Sequence, residues 1–369
     1  MMSIREITII GLGLIGGSLG MAFKKSRPEI RVVGVDLALD TIDEAVCRKA
    51  IDWGTVQIGE GVRTADLVIL ATPVSAMLST VYKLLPYLKE GAILTDVGST
   101  KAQIVEIMAE ILPPAVHFIG GHPMAGSEKG GLAGASELLF ENAAYVLTPL
   151  PHTNFQAIDG LRNILDSLGA QIIILSPAEH DRKVAAVSHL PHLIASALVN
   201  TVGSLEEEEQ GYFTLAAGGF RDTTRIAASQ SGLWCDILLE NRQALLPLLE
   251  EFLGALQEFE KVLLTKDAGH LTALLNTARF WREKVPIGLK GILPQLFELQ
   301  VNIPDQPGSI ASITNLLGGR HINIIDIEIQ RVREEDEGTL RLGFSMGEER
   351  DQAKRVLEEK GYQVKEISV

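Results

Sequence analysis

Apolar runs separated by glycine-rich or polar breaks mark out the first third of the chain. Ile7, Thr8, Ile9 and Ile10 form a β-branched run, Gly11-Leu12-Gly13-Leu14-Ile15-Gly16 follows, and Met21, Ala22 and Phe23 continue at helical spacing. A second apolar run over residues 30–35 ends on Asp36. The order predicted is strand, tight turn, helix, strand, acid. Asp40 or Thr41 is expected to cap the next helix, through Ala45 and Val46. Further strands are predicted over 65–71, 92–96, 118–119, 145–147 and 172–174, with a helix at 161–168. Thr72-Pro73-Val74 is expected to open a helix with proline in its first turn. Such alternation predicts an α/β fold with a mostly parallel, doubly wound sheet, whose ligands lie at the carboxyl ends of the strands. Thr72, Ser99 and His122 are each expected just after a strand.

From Ser176 the pattern changes. Ser176-Pro177-Ala178-Glu179 has the form of a capping box, and helical spacing persists to about Trp281. Its alanine- and leucine-rich faces are too apolar for an isolated helical layer, so a homodimer through this region is expected. Glu206 to Glu209 is expected to be a solvated helix end or loop. Pro286, Gly288, Gly291 and Pro294 mark a linker over 284–294. Beyond it the order is βαββαβ, the ferredoxin-like arrangement, with strands at 297–303, 322–330, 340–345 and 362–369 and helices to Leu317 and over 351–360. Three domains are expected: 1–175, Rossmann-like and nucleotide-binding; 176–290, all-helical; and 295–369, small and separate.

Composition narrows the partners. A net charge of −14 argues against nucleic acid, which needs a basic face. Cys47 and Cys235 are too few for a disulfide framework and lack metal-ligand spacing, so buried thiols in a reducing compartment are expected. The start of the chain lacks a basic n-region, and no unbroken apolar stretch is expected to cross a bilayer. A cytoplasmic location without membrane attachment is the expectation.

The glycine turn carries the first chemistry. Gly11 permits the sharp turn, Gly13 lets the backbone approach a pyrophosphate at a helix N-terminus, and Gly16 lets helix and strand pack closely. Leu12, Leu14 and Ile15 complete the cofactor turn, with Thr72, Pro73 and Ser99 on neighbouring strand ends. Asp36 lies 20 residues past Gly16, where a carboxylate accepts from ribose hydroxyls and repels a 2′-phosphate. Leu37-Ala38 supplies no arginine, which favours NAD over NADP.

Four clusters could act beside that cofactor. His122, with Ser127 and Glu128, has an imidazole whose ordinary pKa suits proton abstraction near neutrality. In Ser188-His189-Leu190-Pro191-His192 two histidines share a helix face, which raises metal binding, yet no third ligand is evident and no metal is expected. Arg225, in Gly218-Gly219-Phe220-Arg221-Asp222-Thr223-Thr224-Arg225 and followed by Trp234-Cys235-Asp236, suits carboxylate recognition, with a surface ion pair as the alternative. Ser99, in Asp96-Val97-Gly98-Ser99-Thr100-Lys101, offers a hydroxyl to an imidazole or a substrate.

These motifs, with Gly120-Gly121-His122-Pro123-Met124-Ala125-Gly126, resemble the prephenate/arogenate dehydrogenase family of tyrosine biosynthesis along nearly the whole chain. The segment around Ile303-Pro304-Asp305-Gln306-Pro307-Gly308-Ser309-Ile310 resembles an ACT domain, an amino-acid-sensing module. The resemblance implies NAD-dependent oxidative decarboxylation of prephenate, with His122 as base and Ser99 hydrogen-bonded to it or to the substrate hydroxyl. It implies Arg225 on a substrate carboxylate, His189 and His192 lining the pocket, Ser127 and Glu128 shaping or gating it, and Trp234 packing its wall. It implies tyrosine as effector, with Asp305, Gly308 and Asn323 as contacts; a ligand-free dimerisation module is the alternative there. Arogenate or dual specificity, a β-hydroxyacid dehydrogenase and a non-catalytic NAD- and amino-acid-responsive regulator are the rival readings.

Overall fold

The computed structural model describes residues 4–126, 129–150, 152–285, 296–304, 306–330 and 337–367. They fall into two compact units, Met1–Gly291 and Ile292–Val369. In the first, strands β1 (Glu6–Ile10), β2 (Arg31–Val35), β3 (Trp53–Thr55), β4 (Leu67–Leu70), β5 (Ile93–Asp96), β6 (His117–Pro123), β7 (Ala144–Thr148) and β8 (Gln171–Ile174) form one sheet, ordered β3-β2-β1-β4-β5-β6-β7-β8. Every neighbouring pair is parallel except β6 with β7. Because side chains alternate across a strand, Leu67 and Ile69 of β4 enter one core while Val68 and Leu70 enter the other. Helices α1 (Leu14–Ser26), α2 (Leu39–Cys47) and α6 (Phe155–Asp166) cover the first face; α3 (Ile58–Val62), α4 (Val74–Leu84) and α5 (Ala102–Ile111) cover the second. Each fully buried Ile, Leu or Phe contributes about 1.5–3 kcal/mol, so both faces must be sealed for the sheet to persist.

Local details depart from the sequence pattern. The α2 helix begins one residue before Asp40, with Ala38 as N-cap, because the Asp36 carboxylate already holds the Ala38 amide (3.1 Å). Pro73 is the N-cap of α4 rather than part of its first turn. His122 lies within β6, not after it: antiparallel pairing with β7 extends the strand through Gly120 to Pro123. Cys47 and Cys235 are exposed in the single chain, not buried, since each sits on the outer side of its helix. The short β3 and α3 were not anticipated, being too brief to show a period.

The rest of this unit is helical: α7 (Pro177–Val184), a single π turn (Ala185–His189), α8 (Leu190–Glu208), α9 (Gly218–Thr224), a tight turn Arg225–Ala228, α10 (Ser231–Glu240), α11 (Arg242–Thr265) and α12 (Ala268–Lys284). The Ser176 hydroxyl accepts from the Glu179 amide (3.3 Å), as a capping box requires. Glu206 folds back to accept from the Gly211 and Phe213 amides, closing the end of α8. The continuous helical run 177–208 is long and apolar enough to cross a membrane by length and composition alone, although polar residues interrupt it. It carries buried His180, Asp181, His189 and His192 inside the fold, which suits a core helix.

In the second unit, β9 (Phe297–Pro304), β10 (Asp326–Gln330), β11 (Glu337–Phe344) and β12 (Val364–Ile367) form an antiparallel sheet ordered β10-β11-β9-β12. Helices α13 (Ser309–Gly318) and α14 (Gly347–Glu359) bury Ile313, Leu317, Val356 and Leu357 against it. The element order is the expected βαββαβ. Strand β10 starts four residues later than predicted, because His321 adopts φ +59° and residues 322–325 return from the helix before ladder pairing begins.

Candidate active site

The glycine turn lies where β1 ends. Gly11 has φ +94°, and a Cβ there would stand 2.5 Å from the Ala71 carbonyl oxygen. A Cβ at Gly16 would meet the Gly11 carbonyl at 1.9 Å, so α1 can approach the strands only with glycine there. Gly13 has nothing within 4 Å of such an atom. It is the N-cap of α1, with no capping side chain and no acid in the first turn, which leaves amides and dipole free for an anion. Asp36 accepts from the Leu12 amide (2.9 Å), fixing the turn. Across the β1–β4 boundary the buried Thr72 hydroxyl has no partner, while Pro73 is exposed. An open glycine, a free helix start, an orphaned hydroxyl and a terminal acid fit a dinucleotide.

Next along the same edge is β6. Its glycines let three strands close together: a Cβ at Gly120 would lie 2.3 Å from the Thr148 hydroxyl, and one at Gly121 would lie 2.5 Å from the Asp96 carbonyl. The Asp96 carboxylate accepts from the Gly98 (2.8 Å) and Gly121 (3.1 Å) amides and pairs with the fully buried Lys101 ammonium. That network fixes the loop bearing Ser99, which is half-buried and has no hydrogen-bond partner among the described residues.

The His122 ring is half-exposed by surface, yet packed closely enough to lose most of its hydration. Its Nδ1 lies 2.8 Å from Nε2 of His180, and Nδ1 of His180 lies 2.7 Å from Oδ1 of Asp181. Asp181 accepts in turn from the Lys101 (2.7 Å) and Ala102 (2.8 Å) amides. A carboxylate on α7 thus caps α5 and joins the helical half to the sheet. Burial first, then His180, Lys101 and His189, holds the His122 pKa well below the ordinary histidine value. The ring is a neutral acceptor at physiological pH.

His189 closes the π turn, a distortion frequent at functional sites. It is 1% exposed, and its Nδ1 meets the Asn241 amide nitrogen (3.0 Å), which also donates to the Asp181 carbonyl (2.9 Å). Burial depresses its pKa to about 4. His192 stacks on Trp234 (centroids 3.7 Å, planes 16° apart), while His189 meets the same indole edge-on at 6.1 Å. Both His192 nitrogens are buried without a hydrogen bond; burial lowers its pKa, and the nearby Ile226 backbone opposes this without reaching hydrogen-bond geometry. Unpartnered nitrogens beside the site are costly unless a ligand supplies the partner. Arg225, exposed, opens the turn packed on α8, one residue before Ile226. Gln230, just beyond that turn, comes within 3.5 Å of where a Gly130 side chain would start, so the stretches after His122 and Arg225 face each other. Ser127 and Glu128 lie outside the described residues. Among those described, no three His, Cys, Asp or Glu side chains form a metal site.

His180, Asp181 and Asn241 were missed by sequence reasoning. They come from a short polar helix and a helix junction, and their partners are 52 to 80 residues away, so only a His-Asp pair after a capping box hinted at them.

In the second unit, Gly308 (φ +95°) and Gln306, Pro307, Ser309, Ile310, Ala311 and Thr314 line an open cavity of about 690 Å³ at the start of α13. The Ser309 hydroxyl there is buried without a partner. Asn323 is exposed and not among the lining residues, and Asp305 lies outside the described residues.

Fold and site together define a nicotinamide-dependent dehydrogenase with a histidine at the strand edge. Comparison with known proteins gives the family. Residues 19–174 match "Prephenate dehydrogenase, nucleotide-binding domain", 176–277 match "Prephenate dehydrogenase, dimerization domain" and 297–359 match "ACT domain". The chain is 38% identical over 353 residues to prephenate dehydrogenase of Bacillus subtilis, covering 95% of each. Prephenate dehydrogenase of Aquifex aeolicus, solved with hydroxyphenyl propionate and NAD+, superposes with TM-score 0.73 at 32% identity, covering 77% of this chain and 99% of that one. Synechocystis arogenate dehydrogenase gives 0.68 at 35%, covering 76% and 100%. The chain belongs to the prephenate dehydrogenase family, and NAD is its cofactor.

Proposed function

We propose that this enzyme oxidises and decarboxylates prephenate to 4-hydroxyphenylpyruvate and carbon dioxide. The observation that carries the reading is a neutral, partner-fixed imidazole at position 122 on the strand edge that also holds the open glycine turn. NAD, when bound by the Gly11 to Gly16 turn, Asp36 and Thr72, supplies the hydride acceptor. His122 takes the proton of the ring hydroxyl, and Ser99 hydrogen-bonds that hydroxyl or the imidazole. Arg225 pairs with a substrate carboxylate, His192 gains a partner for an orphaned nitrogen, and Trp234 holds the His192 ring flat. His189, buried behind the site, supports the cluster through Asn241. Ser127 and Glu128 shape or gate the site. Loss of the carboxylate needs little help, because the ring becomes aromatic as it leaves; the protein supplies position and a base.

The domains 1–175, 176–290 and 295–369 then serve cofactor, substrate and regulation. Exposed Leu246, Leu253, Leu256, Leu263, Leu264 and Leu275 support a homodimer through the helical part. Tyrosine is the effector, its carboxylate received at the Gly308 turn and by Ser309, and the location is cytoplasmic. The test is NADH absorbance with prephenate or arogenate, with and without tyrosine. Faster turnover of prephenate and inhibition by tyrosine are expected; a strong preference for arogenate would move the enzyme to the specificity named for the Synechocystis relative.

A further inference from the structure

We propose that His180, anchored by Asp181, fixes the tautomer of His122, so that the lone pair available for catalysis is on Nε2. The inference rests on the reading of His122 as the base and adds two positioning residues to it. The chain of hydrogen bonds has one direction. A carboxylate only accepts, so at 2.7 Å the Nδ1 of His180 must donate to Asp181. A neutral His180 then carries its lone pair on Nε2, and at 2.8 Å the Nδ1 of His122 must donate to it. With its only proton on Nδ1, neutral His122 presents Nε2 as acceptor. The opposite direction requires a doubly protonated His180 with 0% exposure. Asp181 does not demand that charge, because the Lys101 and Ala102 amides at the start of α5 already stabilise its carboxylate. The positive group beside the cluster, the Lys101 ammonium, opposes a second cation there.

The fixed direction has a consequence for the reaction. When Nε2 of His122 takes the substrate's hydroxyl proton, the ring becomes imidazolium and keeps its Nδ1–H bond to His180. No second proton transfer is needed: the new charge is met by the His180 lone pair, with the Asp181 carboxylate behind it. The groups acting on His122 are His180 from α7, backed by Asp181, His189 from the π turn, and Lys101 from the loop after β5, itself paired with Asp96.

The test reads the tautomer directly. In the full chain labelled with ¹⁵N-histidine, the His122 signals, identified by their loss in His122→Asn, are expected to show a protonated Nδ1 and a bare Nε2. A protonated Nε2 at neutral pH overturns the proposal. Kinetically, His180→Phe is expected to lower kcat by roughly 10²-fold while KM values stay within about twofold. His180→Gln, whose amide oxygen can accept from His122 Nδ1, should recover part of that loss and return the acid limb of the kcat profile toward wild type. A purely structural role would reduce both variants alike and leave the acid limb where it is, which would overturn the proposal. If His180→Phe does not fold, the wild-type spectrum and His180→Gln still decide. The base reading fails separately, through His122→Asn with undiminished turnover.

Discussion

At the glycine turn a ligand meets backbone: the free amides at the start of α1, and the space above Gly13 that no atom occupies. At the histidine cluster the proposed substrate contacts are side chains, His122, His192 and the Trp234 indole, held in place by others. A backbone site needs only a local sequence that folds one way, and its failure modes are steric. A side-chain site needs partners brought together from distant elements, and its failure modes are electrostatic. The two regions should therefore respond differently to substitution.

The largest effect belongs to the side-chain region. His122→Asn keeps a polar group of similar size but removes the base, and should lower kcat by about 10²–10⁴-fold with NAD affinity unchanged. NAD titration by fluorescence beside steady-state rates separates the two; loss of NAD binding would mean that the imidazole serves the cofactor instead. Next comes Arg225→Ala, expected to raise the substrate KM by the equivalent of about 2–3 kcal/mol through loss of a charge-assisted pair. Unaltered prephenate binding would remove the carboxylate role and leave Arg225 a surface residue.

The backbone region gives smaller and separable effects. Gly13→Ala adds a Cβ that has no atom within 4 Å, so its melting temperature should fall only slightly, by the cost of a poorer N-cap, while NAD binding weakens by about 1–2 kcal/mol of lost amide contacts. Gly16→Ala does the reverse. Its new methyl collides with the Gly11 carbonyl, and stability should fall by roughly 1–3 kcal/mol. Equal melting temperatures for the two variants would break the distinction. Asp36→Ser should relax the bias against NADP, measured as the ratio of kcat/KM for the two cofactors, with some loss of stability from the Leu12 and Ala38 amides it now holds.

The same contrast explains what could be read from the residues alone. The turn from Gly11 to Gly16 and Asp36 lie within one βαβ unit, where spacing encodes geometry, and the strands following it announced themselves as apolar runs. His122 was recognisable as a histidine near a strand end, although pairing with β7, invisible in a local pattern, put it inside the strand. His180 and Asp181 sit on a helix whose composition is that of an ordinary solvated surface, and only the docking of α7 onto α5 buries them. The thiols failed for a similar reason: Cys47 and Cys235 follow the apolar character of cysteine in general, while their helices turn those positions outward. Arg225 was singled out by its small and polar neighbours, and the approach of its turn to His192 through Ile226 depends on how the turn packs on α8.

The last expected effect is a change in the slope of stability with pH, and it isolates the side-chain region from the rest of the fold. His189 is held to about 4 in the folded chain, against 6.5 for an exposed ring, chiefly by burial. As pH falls, the unfolded chain takes up this proton first. The stability gained by keeping the ring neutral is therefore complete above 6.5, declines as pH drops from 6.5 towards about 4, and is lost below that. His122 and His192 are shifted in the same direction and add to the slope. Asp52 and Asp66, each ion-paired to a lysine and held below 3.8, lose their contribution only at more acidic pH, so the two windows do not merge. Urea midpoints measured from pH 7 to pH 4 should fall across that range in the wild type. His189→Gln, whose amide oxygen can still accept from Asn241, should flatten the fall without abolishing it. An unchanged slope would mean that His189 is hydrated in solution and that the cluster is looser than its 1% exposure indicates.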